Sequence, residues 1–399
     1  MLIMVVIFWV NDFFEIGLSV IMKIVHLGSS DLAHANGGVA SAVFGYIVFQ
    51  AKLKHEILLF TTGDVQIEQG VNVQFFPYLK LLGSKFQWSL PLFKALQNEP
   101  NVQIIHNHGL WRFPNIYPGF INKKKAKIIC SPHGVFSPWA LNYSALKKKI
   151  TLFFLGQRRM LEAVDMFHAT CEEEYLQIRS QKLLQPVMVV ANGVDIPEIQ
   201  EYTKNKEKRR VVFLGRIHPI KGLDFLLQSW CRVAADKKEW ELCIVGPNIV
   251  EDYAESLATF LKEQRINNVR FLGSINGLEK QKLLAESDYL VLTSHSENFA
   301  MVVAEALAHA LPVIVTEGVP WEKLNSKGCG WWVPRKSNSF DAALTKAIGL
   351  TREESSEMGA LGREWVKQDF SVESVAIRLV LGYEWICKGG EKPEFVKVE

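Results

Sequence analysis

Residues 288–316, DYLVLTSHSENFAMVVAEALAHALPVIVT, pass from one apolar segment through a serine-rich turn and an amphipathic stretch into a second apolar segment. The segments DYLVLT (288–293) and LPVIVT (311–316) have the length of strands, and the stretch between them predicts a helix that starts near Asn298. Strand, helix and strand in this order predict parallel strands joined by a crossover helix.

The same alternation continues on both sides of this unit. Short apolar segments that end in Gly or Asn predict strands in the first half at KIVHLG (23–28), EILLFTTG (56–63), VNVQFFPY (71–78), VQIIHNH (102–108), AKIICSPHG (126–134), DMFHATC (165–171) and PVMVVANG (186–193). A polar stretch, 195–210, then interrupts the pattern. Further strands follow it at RVVFLGR (210–216), WELCIVG (240–246), NVRFLG (268–273) and GCGWWV (328–333). Two sheets of similar size are therefore joined near residue 195.

We expect an α/β protein with two Rossmann-like, doubly wound domains that face each other across a cleft. Ligands of open α/β sheets bind at the carboxyl ends of the strands, so the cleft is the expected site. The N-terminal domain is predicted at 22–194 and the C-terminal domain at 195–371. The amphipathic stretch 372–390 is predicted to be a helix that crosses back to the N-terminal domain, and 391–399 a tail.

The first residues, MLIMVVIFWVNDFFEIGLSVI (1–21), fit no targeting pattern. Their apolar run of ten residues is too short to span a bilayer, and it has neither a preceding Lys or Arg nor a small-residue cleavage site after it. Met22 and Lys23 open the first strand in the manner of a translation start. We expect residues 1–21 to be upstream sequence carried into the reading frame, with a short membrane-contacting segment as the alternative.

The composition excludes several classes of protein. Hydrophobic residues make up 48% and charged residues 22% of the 399 residues, which suits a globular protein of about two domains and excludes overall disorder. The 6 Cys are far apart and form no Cys-x-x-Cys pair, which excludes zinc ribbons and disulfide scaffolds and suits a reducing cytosol. No nucleic-acid-binding pattern appears, so nucleic acid is not an expected partner.

Two carboxylates mark the predicted helix of the opening stretch. Glu297 lies just before its start and Glu305 two turns inside it. The backbone N–H groups of Asn298, Phe299 and Ala300 would be the helix's unpaired first donors, which is a phosphate-binding arrangement. The structural alternative makes Glu297 an N-terminal cap and Glu305 a residue on a solvated face.

Two cations follow the strand that opens the second half. Arg216 follows its tip and Lys221 is expected in the first turn of the next helix, so both can point into the same cleft as the helix start. Two cations and a helix N-terminus would neutralise a diphosphate. Lys and Arg are ordinarily solvated, but their combination with the two glutamates favours a ligand site.

Together these residues carry a family resemblance. The spacing Glu-x7-Glu after a strand, preceded by Leu-Gly-Arg-x4-Lys-Gly, resembles the retaining GT-B glycosyltransferases of the large family-four type. Gly37-Gly38 after the first strand, SPHGVF (131–136) and ANGVD (191–195) match in the same order, and the resemblance covers residues 22 to 390. One departure is Ala300, where the family usually has Gly. The stretches SPHGVFSPWALNYSALKKK and HATCEEEYLQIR are similar to the enzymes of bacterial capsule, O-antigen and exopolysaccharide assembly.

The resemblance implies a role for each matching residue. Arg216 and Lys221 would hold the diphosphate of a nucleotide sugar and Glu305 its ribose, while Glu297 and His133 would act at the transferred sugar. The catalytic set implied is thus Glu297, His133, Arg216 and Lys221. The remaining donor-binding residues implied are Asn298, Phe299 and Ala300 at the sugar and phosphate, Ser274 and Ile275 at the nucleobase, and Gly37 and Gly38 in the first loop.

No metal or other cofactor is predicted. The sequence has no Asp-x-Asp that would hold Mg²⁺ or Mn²⁺ on a diphosphate, and Arg216, Lys221 and the helix start would take that place. His106 and His108 end a strand, but we expect their imidazoles not to share a ligand direction, so that no metal site forms.

The N-terminal half is basic. Residues 22–195 carry 18 Lys and Arg against 11 Asp and Glu, with clusters at INKKKAK (121–127) and KKKI (147–150). Solvated turns are the ordinary fate of such runs. We expect instead contact with an anionic membrane surface, which would make the protein cytoplasmic and peripheral on the inner face of the cytoplasmic membrane.

The sequence thus predicts a retaining, metal-independent hexosyltransferase. It would move a sugar from a nucleotide-diphosphate donor, a UDP-sugar rather than a GDP-sugar, to a glycan or lipid-linked glycan in capsule or lipopolysaccharide biosynthesis. Two alternatives stay open: a sugar-nucleotide epimerase of similar fold, and a non-catalytic two-lobed regulator that binds a sugar or nucleotide.

Overall fold

The structure is a computed structural model of the chain. It describes residues 20–29, 38–63, 70–82, 86–122, 126–138, 140, 156–198 and 207–398. These residues form two compact units. Unit 1 takes the described parts of Met1–Ala35, Tyr46–Val190 and Ala376–Glu399, and unit 2 those of Asn36–Gly45 and Ala191–Val375.

Unit 1 is built on an eight-stranded sheet. Its strands are β1 (Lys23–Gly28), β2 (Glu56–Thr61), β3 (Val71–Phe75), β4 (Ile104–His108), β5 (Lys127–Ser131), β6 (Met166–Ala169), β7 (Val187–Val189) and β14 (Val396–Lys397). Their order is β14-β7-β6-β5-β4-β1-β2-β3, and all pairs are parallel except β14 with β7. Strands β1, β4, β5 and β6 are buried along nearly their whole length, as central parallel strands covered on both faces are.

Helices cover this sheet. The helices with residues in unit 1 are α1 (Gly38–Lys52), α2 (Leu90–Asn98), α3 (Arg158–Ala163), α4 (Glu172–Ser180) and α12 (Val372–Lys388), with short 3-10 helices at Lys80–Leu82 and Tyr117–Phe120. The hydroxyl oxygen of Ser89 accepts the Leu92 N–H at 3.3 Å and so caps α2. The first turn of α4 carries Glu172, Glu173 and Glu174, where the helix dipole favours negative charge.

Unit 2 is built on a six-stranded sheet. Its strands are β8 (Arg209–Leu214), β9 (Trp240–Val245), β10 (Val269–Gly273), β11 (Tyr289–Leu292), β12 (Val313–Thr316) and β13 (Gly330–Val333). The order is β10-β9-β8-β11-β12-β13 with every pair parallel. The direction of strand addition therefore reverses between β8 and β11, which is the topological switch point of the sheet.

The helices of unit 2 follow its strands. They are α5 (Leu223–Ala234), α6 (Glu251–Glu263), α7 (Gly277–Glu286), α8 (Met301–Ala308), α9 (Leu324–Lys327), α10 (Ser337–Gly349) and α11 (Arg352–Asp369), with a 3-10 helix at Pro219–Lys221. Thr351 and Glu354 form a capping box at the start of α11. Helix α8 is buried over most of its surface and packs in the unit 2 core.

The predicted alternation of strands and helices is confirmed in both units. No pattern in the sequence predicts β14, which is two residues long. Predictions about residues 1–19, Gly37 and the lysines at 123–125 and 147–149 fall outside the described part of the chain. Among the described residues, no helix is both long and apolar enough to cross a membrane.

Candidate functional site

The carboxyl ends of β8 and β11 lie side by side at the switch point of unit 2. Strand β8 continues to β9 on one side, and β11 continues to β12 on the other. Ligands of such sheets bind at the carboxyl ends of the strands next to the switch point. Lys221 lies in the segment after β8, and Glu297 in the segment after β11.

Lys221 and Glu297 form an ion pair. The Nζ of Lys221 lies 2.5 Å from Oε1 of Glu297, and the Ser294 hydroxyl donates to the same oxygen at 2.6 Å. Both side chains are mostly buried, with 15% and 13% of their surfaces exposed. Because an unpaired charge at such burial is unfavourable, each residue supplies the counter-charge that the other needs.

The two loops that carry this pair are fastened to each other. The His295 N–H donates to the Ile220 carbonyl at 2.8 Å, and the Thr293 hydroxyl donates to the Gly222 carbonyl at 2.9 Å. Gly222 has a left-handed backbone, with φ at 65°, and a Cβ at this residue would collide with the Thr293 carbonyl oxygen. A glycine directly after Lys221 is therefore required for the close approach of the two loops.

Lys221 lies slightly before its predicted position. It ends the 3-10 helix Pro219–Lys221, whereas α5 begins only at Leu223. The left-handed Gly222 separates the two helices, so Lys221 is not in the first turn of α5 as predicted. Its side chain nevertheless reaches the end of β11 through the contact with Glu297.

Two further cations lie near Lys221. Arg216 is exposed on the loop after β8, and its charge, together with that of Lys221, adds to burial in lowering the pKa of His218. Arg335, after β13, donates from Nε to the Thr293 carbonyl at 3.2 Å. No motif in the sequence singles out Arg335, because only the pairing of β13 with β12 brings its loop to this edge. The site therefore carries more positive charge than predicted.

Helix α8 begins at Met301, three residues later than the predicted start near Asn298. Ala300 has a left-handed backbone, with φ at 60°, which ends the preceding turn. The prediction that Asn298, Phe299 and Ala300 provide the first N–H groups of the helix is therefore wrong, and Glu305 lies one turn inside α8 rather than two. A left-handed backbone is easiest for glycine, which is the residue that the family resemblance leads one to expect in place of Ala300.

Phe299 and Asn298 differ in burial. The Phe299 ring is buried and lies 5.3 Å from the ring of Trp321, whose indole N–H donates to the Phe299 carbonyl at 2.6 Å. Asn298 is half-buried beside it. The Phe299 side chain thus serves the core of unit 2, and its backbone shapes the turn between Glu297 and α8.

A second ion pair lies between α7 and α8. The Nζ of Lys280 is 2.7 Å from Oε1 of Glu305, and only 17% of the Glu305 side chain is exposed. Ser274 and Ile275 lie between β10 and α7, just before the helical turn that carries Lys280; Ser274 is exposed and Ile275 half-buried. The structure therefore brings the predicted nucleobase loop to the helix that contacts Glu305. Sequence reasoning missed Lys280, which has no distinguishing spacing.

Gly38 lies at the start of α1, among the residues assigned to unit 2. A Cβ at Gly38 would lie 3.0 Å from Cγ of Met301, the first residue of α8. The structure thus places Gly38 beside the helix that carries Glu305. Its partner in the motif, Gly37, is outside the described residues.

His133 belongs to unit 1, on the loop after β5. Its backbone is left-handed, with φ at 55°, which is unusual for a residue with a side chain. The next residue, Gly134, donates its N–H to Glu174 at 2.6 Å, and the same buried carboxylate accepts the N–H and the hydroxyl of Thr170, each at 2.7 Å. Glu174 thus holds the His133 loop in place, a role that the sequence did not reveal.

His133 is part of a histidine cluster made of His26, His106, His108, His133 and His168. His106 and His108 are two residues apart on β4 and so point to the same face of the sheet. Their ring centroids are 4.2 Å apart, so the prediction that the two imidazoles do not share a direction is wrong. Ring nitrogens of His26, His106 and His108 lie within 4.8 Å of one another.

Burial makes this cluster neutral near pH 7. It lowers the pKa of His26, His133 and His168 to about 4, and it lowers the pKa of His106 and His108 well below the usual range. Neutral imidazoles can bind metals. The ring nitrogens of His26, His106 and His108, however, already have hydrogen-bond partners that a metal would have to replace.

Comparison with known proteins identifies the family. The family model described as glycosyl transferases group 1 matches residues 195–365, and that of glycosyltransferase family 4 matches residues 36–198. An uncharacterized 41.2 kDa protein in the cps region of Klebsiella pneumoniae is 29% identical over 218 residues, which is 52% of this chain and 57% of that protein. The alpha-1,3/1,6-mannosyltransferase alg2 of Schizosaccharomyces pombe is 33% identical over 215 residues, 54% of this chain and 35% of that protein. The matches thus span between about a third and somewhat over half of these relatives.

Solved structures show the same architecture. The crystal structure of HepE from Anabaena in complex with UDP and glucose superposes with a TM-score of 0.69 at 16% identity, covering 90% of this chain and 99% of that one. This likeness confirms the predicted fold with two doubly wound, Rossmann-like domains. The two family models together run without a gap from residue 36 to residue 365, and the chain therefore belongs to the GT-B glycosyltransferases of the family-four type.

Proposed function

We propose that the chain transfers a hexose from a nucleotide-diphosphate sugar to a glycan or lipid-linked glycan, with retention of the anomeric configuration. The observation that carries the proposal is the Lys221–Glu297 ion pair at the switch point of unit 2. It places a cation and a carboxylate, both mostly buried, in direct contact. A diphosphate and a sugar hydroxyl are the ligand groups that such a pair would bind.

The donor diphosphate would bind the cations of the site. Lys221 would exchange its contact with Glu297 for a phosphate oxygen, and Arg216 would add a second positive charge. The exchange would free the Glu297 carboxylate for the sugar, where positive charge develops in the transition state. With Lys221 and Arg216 at the leaving diphosphate, catalysis would need no divalent metal.

The nucleoside would lie along α7 and α8. Glu305 would accept hydrogen bonds from the ribose hydroxyls, with Lys280 holding one of its carboxylate oxygens. Ser274 and Ile275 would border the base. We favour a UDP-sugar over a GDP-sugar, and the UDP bound by the HepE structure, which has the same fold, supports this choice.

The other donor contacts would come from the turns before the helices. The backbone between Asn298 and Ala300 would border the sugar and phosphate, and Gly38, beside Met301, would leave room for the phosphate or the acceptor. We assign donor binding to residues 195–371 and acceptor binding to residues 22–194, from which His133 would approach the sugar.

Retention would follow from attack on the face that the nucleotide leaves. The acceptor oxygen forms the new bond to the anomeric carbon while the bond from that carbon to the phosphate oxygen breaks. The departing phosphate oxygen takes the acceptor's proton, so the products are the glycoside and the nucleoside diphosphate. His133 and Glu297 would position the sugar during this step.

The acceptor would belong to a surface polysaccharide. The relative in the Klebsiella pneumoniae cps region supports a role in capsule synthesis, and lipopolysaccharide synthesis is the alternative. The excess of Lys and Arg in residues 22–195 suits a cytoplasmic enzyme that works at an anionic membrane surface on a lipid-linked acceptor.

A panel of UDP- and GDP-sugars tests the proposal. We expect one donor to raise the thermal stability of the protein and to release its nucleoside diphosphate slowly in the absence of acceptor. Proton NMR of the glycoside formed with an acceptor should show the donor's anomeric configuration. An isomerised nucleotide sugar would instead identify an epimerase, and binding without any release or transfer would identify a regulator.

A further inference from the structure

The histidine cluster spans four neighbouring strands of unit 1. His26 on β1 pairs in register with His106 on β4, and His108, the last residue of β4, pairs with Ser131, the last residue of β5. His168 lies on β6 next to β5. The cluster thus lies at the switch point between β1 and β4, where a doubly wound sheet binds its ligands.

The hydrogen bonds of the cluster form two branches. In the first branch, a backbone carbonyl determines which ring nitrogens carry protons. A carbonyl oxygen only accepts, so His168 donates from Nε2 to the Val190 carbonyl at 2.7 Å. Its Nδ1 must then accept from the Ser131 hydroxyl at 2.7 Å, and Ser131 accepts from Nε2 of His106 at 2.6 Å. The Nδ1 of His106 accepts from the Tyr383 hydroxyl at 2.6 Å, which ends the branch.

The second branch leads to His133. The side-chain carbonyl of Gln50 accepts from Nε2 of His26 at 2.8 Å, so Nδ1 of His26 must accept from Nε2 of His108 at 3.0 Å. The Nδ1 of His108 is then an acceptor, and Nε2 of His133 donates to it at 3.2 Å. The Tyr46 hydroxyl lies farther from the same Nδ1, at 3.4 Å.

The branch ends at a bare lone pair. A neutral imidazole carries one proton, so a proton on Nε2 of His133 leaves Nδ1 as an acceptor. This Nδ1 is buried and has no hydrogen-bond partner among the described residues, although His133 as a whole is only half-buried. Burial lowers the pKa of His133 to about 4, so the ring does not take up a second proton near pH 7. A buried acceptor without a partner destabilises the protein unless a ligand satisfies it.

We propose that His26 and His108 are positioning residues that hold the proton of His133 on Nε2 and present its Nδ1 lone pair to a hydroxyl group of a sugar ligand. The inference about the ligand rests on the proposed function, whereas the position of the proton does not. A lone pair accepts a hydroxyl hydrogen and repels an anion, so the chemistry of this position selects a sugar over a phosphate.

The position of the proton can be measured directly. Protein labelled with ¹⁵N-histidine, examined by long-range proton–nitrogen correlation at about pH 7.5, reports which ring nitrogen of each histidine carries hydrogen. His133→Gln identifies the His133 signals by their loss. We expect a protonated Nε2 and a bare Nδ1 for His133 in the unaltered chain. A proton on Nδ1 would overturn the proposal without any variant of the cluster having to fold.

Variants of His108 test the positioning role. His108→Leu removes the acceptor opposite Nε2 of His133, so we expect both tautomers of His133 to appear. His108→Asn offers its side-chain oxygen in place of Nδ1 and should restore the single tautomer. His168→Gln, a buried histidine in the other branch, is the matched control and should leave His133 unchanged. An unchanged His133 signal in folded His108→Leu would refute the role of His108.

A ligand titration separates this inference from the proposed function. UDP-glucose should shift the Nδ1 signal of His133, whereas UDP alone should not, because only the sugar supplies the hydroxyl. If UDP-glucose binds and leaves Nδ1 unshifted, the assignment of the lone pair to a sugar is wrong. If no nucleotide sugar binds while the tautomer is as expected, the proposed function fails and the proton position stands.

Discussion

The Nζ of Lys280 on α7 lies 2.7 Å from the carboxylate of Glu305 on α8. Glu305 is the residue that we propose to bind the ribose, and Lys280 is a residue that no motif marks. Lys280 contacts one oxygen of the Glu305 carboxylate and leaves the other oxygen available to a ligand. The contact also fixes the direction in which this second oxygen points. Lys280 would thereby shape a binding surface that does not change during sugar transfer.

Lys280→Met should therefore weaken donor binding with little effect on turnover. We expect the KM for the nucleotide sugar to rise about tenfold and kcat to stay within about twofold of the unaltered enzyme. The reason is that the contact would stabilise the bound donor and the transition state equally. Steady-state kinetics with the confirmed donor measure both constants. Lys282→Met is the matched control, because Lys282 lies on the same helix with 62% of its side chain exposed. An equal effect of both changes would contradict the role of Lys280.

Substitution of the two glutamates should affect different kinetic constants. Glu305→Gln should raise KM more than it lowers kcat, because ribose keeps its structure through the reaction. Glu297→Gln should lower kcat by about 100-fold or more, because positive charge develops on the sugar only in the transition state. The same kinetic assay decides the matter. A change in KM alone for Glu297→Gln, with turnover lost in Glu305→Gln, would reverse the two assignments.

Lys221 and Glu297 should depend on each other for stability. Lys221→Met leaves a mostly buried carboxylate without its counter-charge, and we expect the free energy of unfolding to fall by roughly 1–3 kcal/mol. Combining Lys221→Met with Glu297→Gln should cost less than the sum of the single changes, since the double variant loses both charges. Urea unfolding of the four proteins in this cycle measures the coupling. Strictly additive losses would show that the contact contributes nothing.

Activity should survive removal of divalent metals. Lys221 and Arg216 stand where the leaving diphosphate would bind, and their charges would stabilise it as a metal ion does. We expect full activity after dialysis against EDTA, and a loss of about 100-fold or more in kcat for Arg216→Ala. A strict requirement for Mg²⁺ or Mn²⁺ would overturn this prediction, while rescue of Arg216→Ala by added metal would support the equivalence of the two charges.

Stability should fall steeply in mild acid. Unfolded histidines take up protons below about pH 6.5, whereas His26, His133 and His168 in the folded chain do so only near a pKa of about 4. Between these values the unfolded state binds more protons than the folded state. The free energy of unfolding therefore keeps its full value above about pH 6.5 and falls as the pH drops toward about 4. Each histidine that is protonated when unfolded and neutral when folded lowers the free energy of unfolding by roughly 1 kcal/mol per pH unit within this window.

Urea unfolding at several pH values between about 8 and about 5 checks the sign and the slope. His168→Gln removes one titrating group and should make the acid loss shallower, although it lowers stability in mild alkali. A stability that stays flat across this range would show that the cluster takes up protons in the folded state.

The order of the strands and the approximate place of the site could be predicted from the sequence. Apolar segments that alternate with amphipathic segments are compatible with few arrangements of strands and helices. The loops that follow parallel strands lie at the same edge of the sheet. Glu297 and Lys221 belong to such loops, so their meeting follows from the topology. Arg335 and Lys280 also reach this edge, but their positions depend on strand order and helix packing that no local spacing records.

The errors have local physical causes. A helix start is set by backbone angles. The left-handed backbone of Ala300 moves the start of α8 to Met301, and an alanine in the sequence does not predict such a backbone. The histidine cluster was misjudged because residues two apart on β4 share a face. Its partners His26 and His168 come from β1 and β6, far away in the chain, so only the assembled sheet brings the imidazoles together.

Strand β14 has a practical consequence for anyone handling this protein. Val396 and Lys397 pair with the outer side of β7, and Val396 is buried there. Shortening the chain before Val396 would leave β7 as an open edge, with unpaired amide groups ready to join another molecule. Self-association of such shortened versions would reflect the loss of this protecting strand.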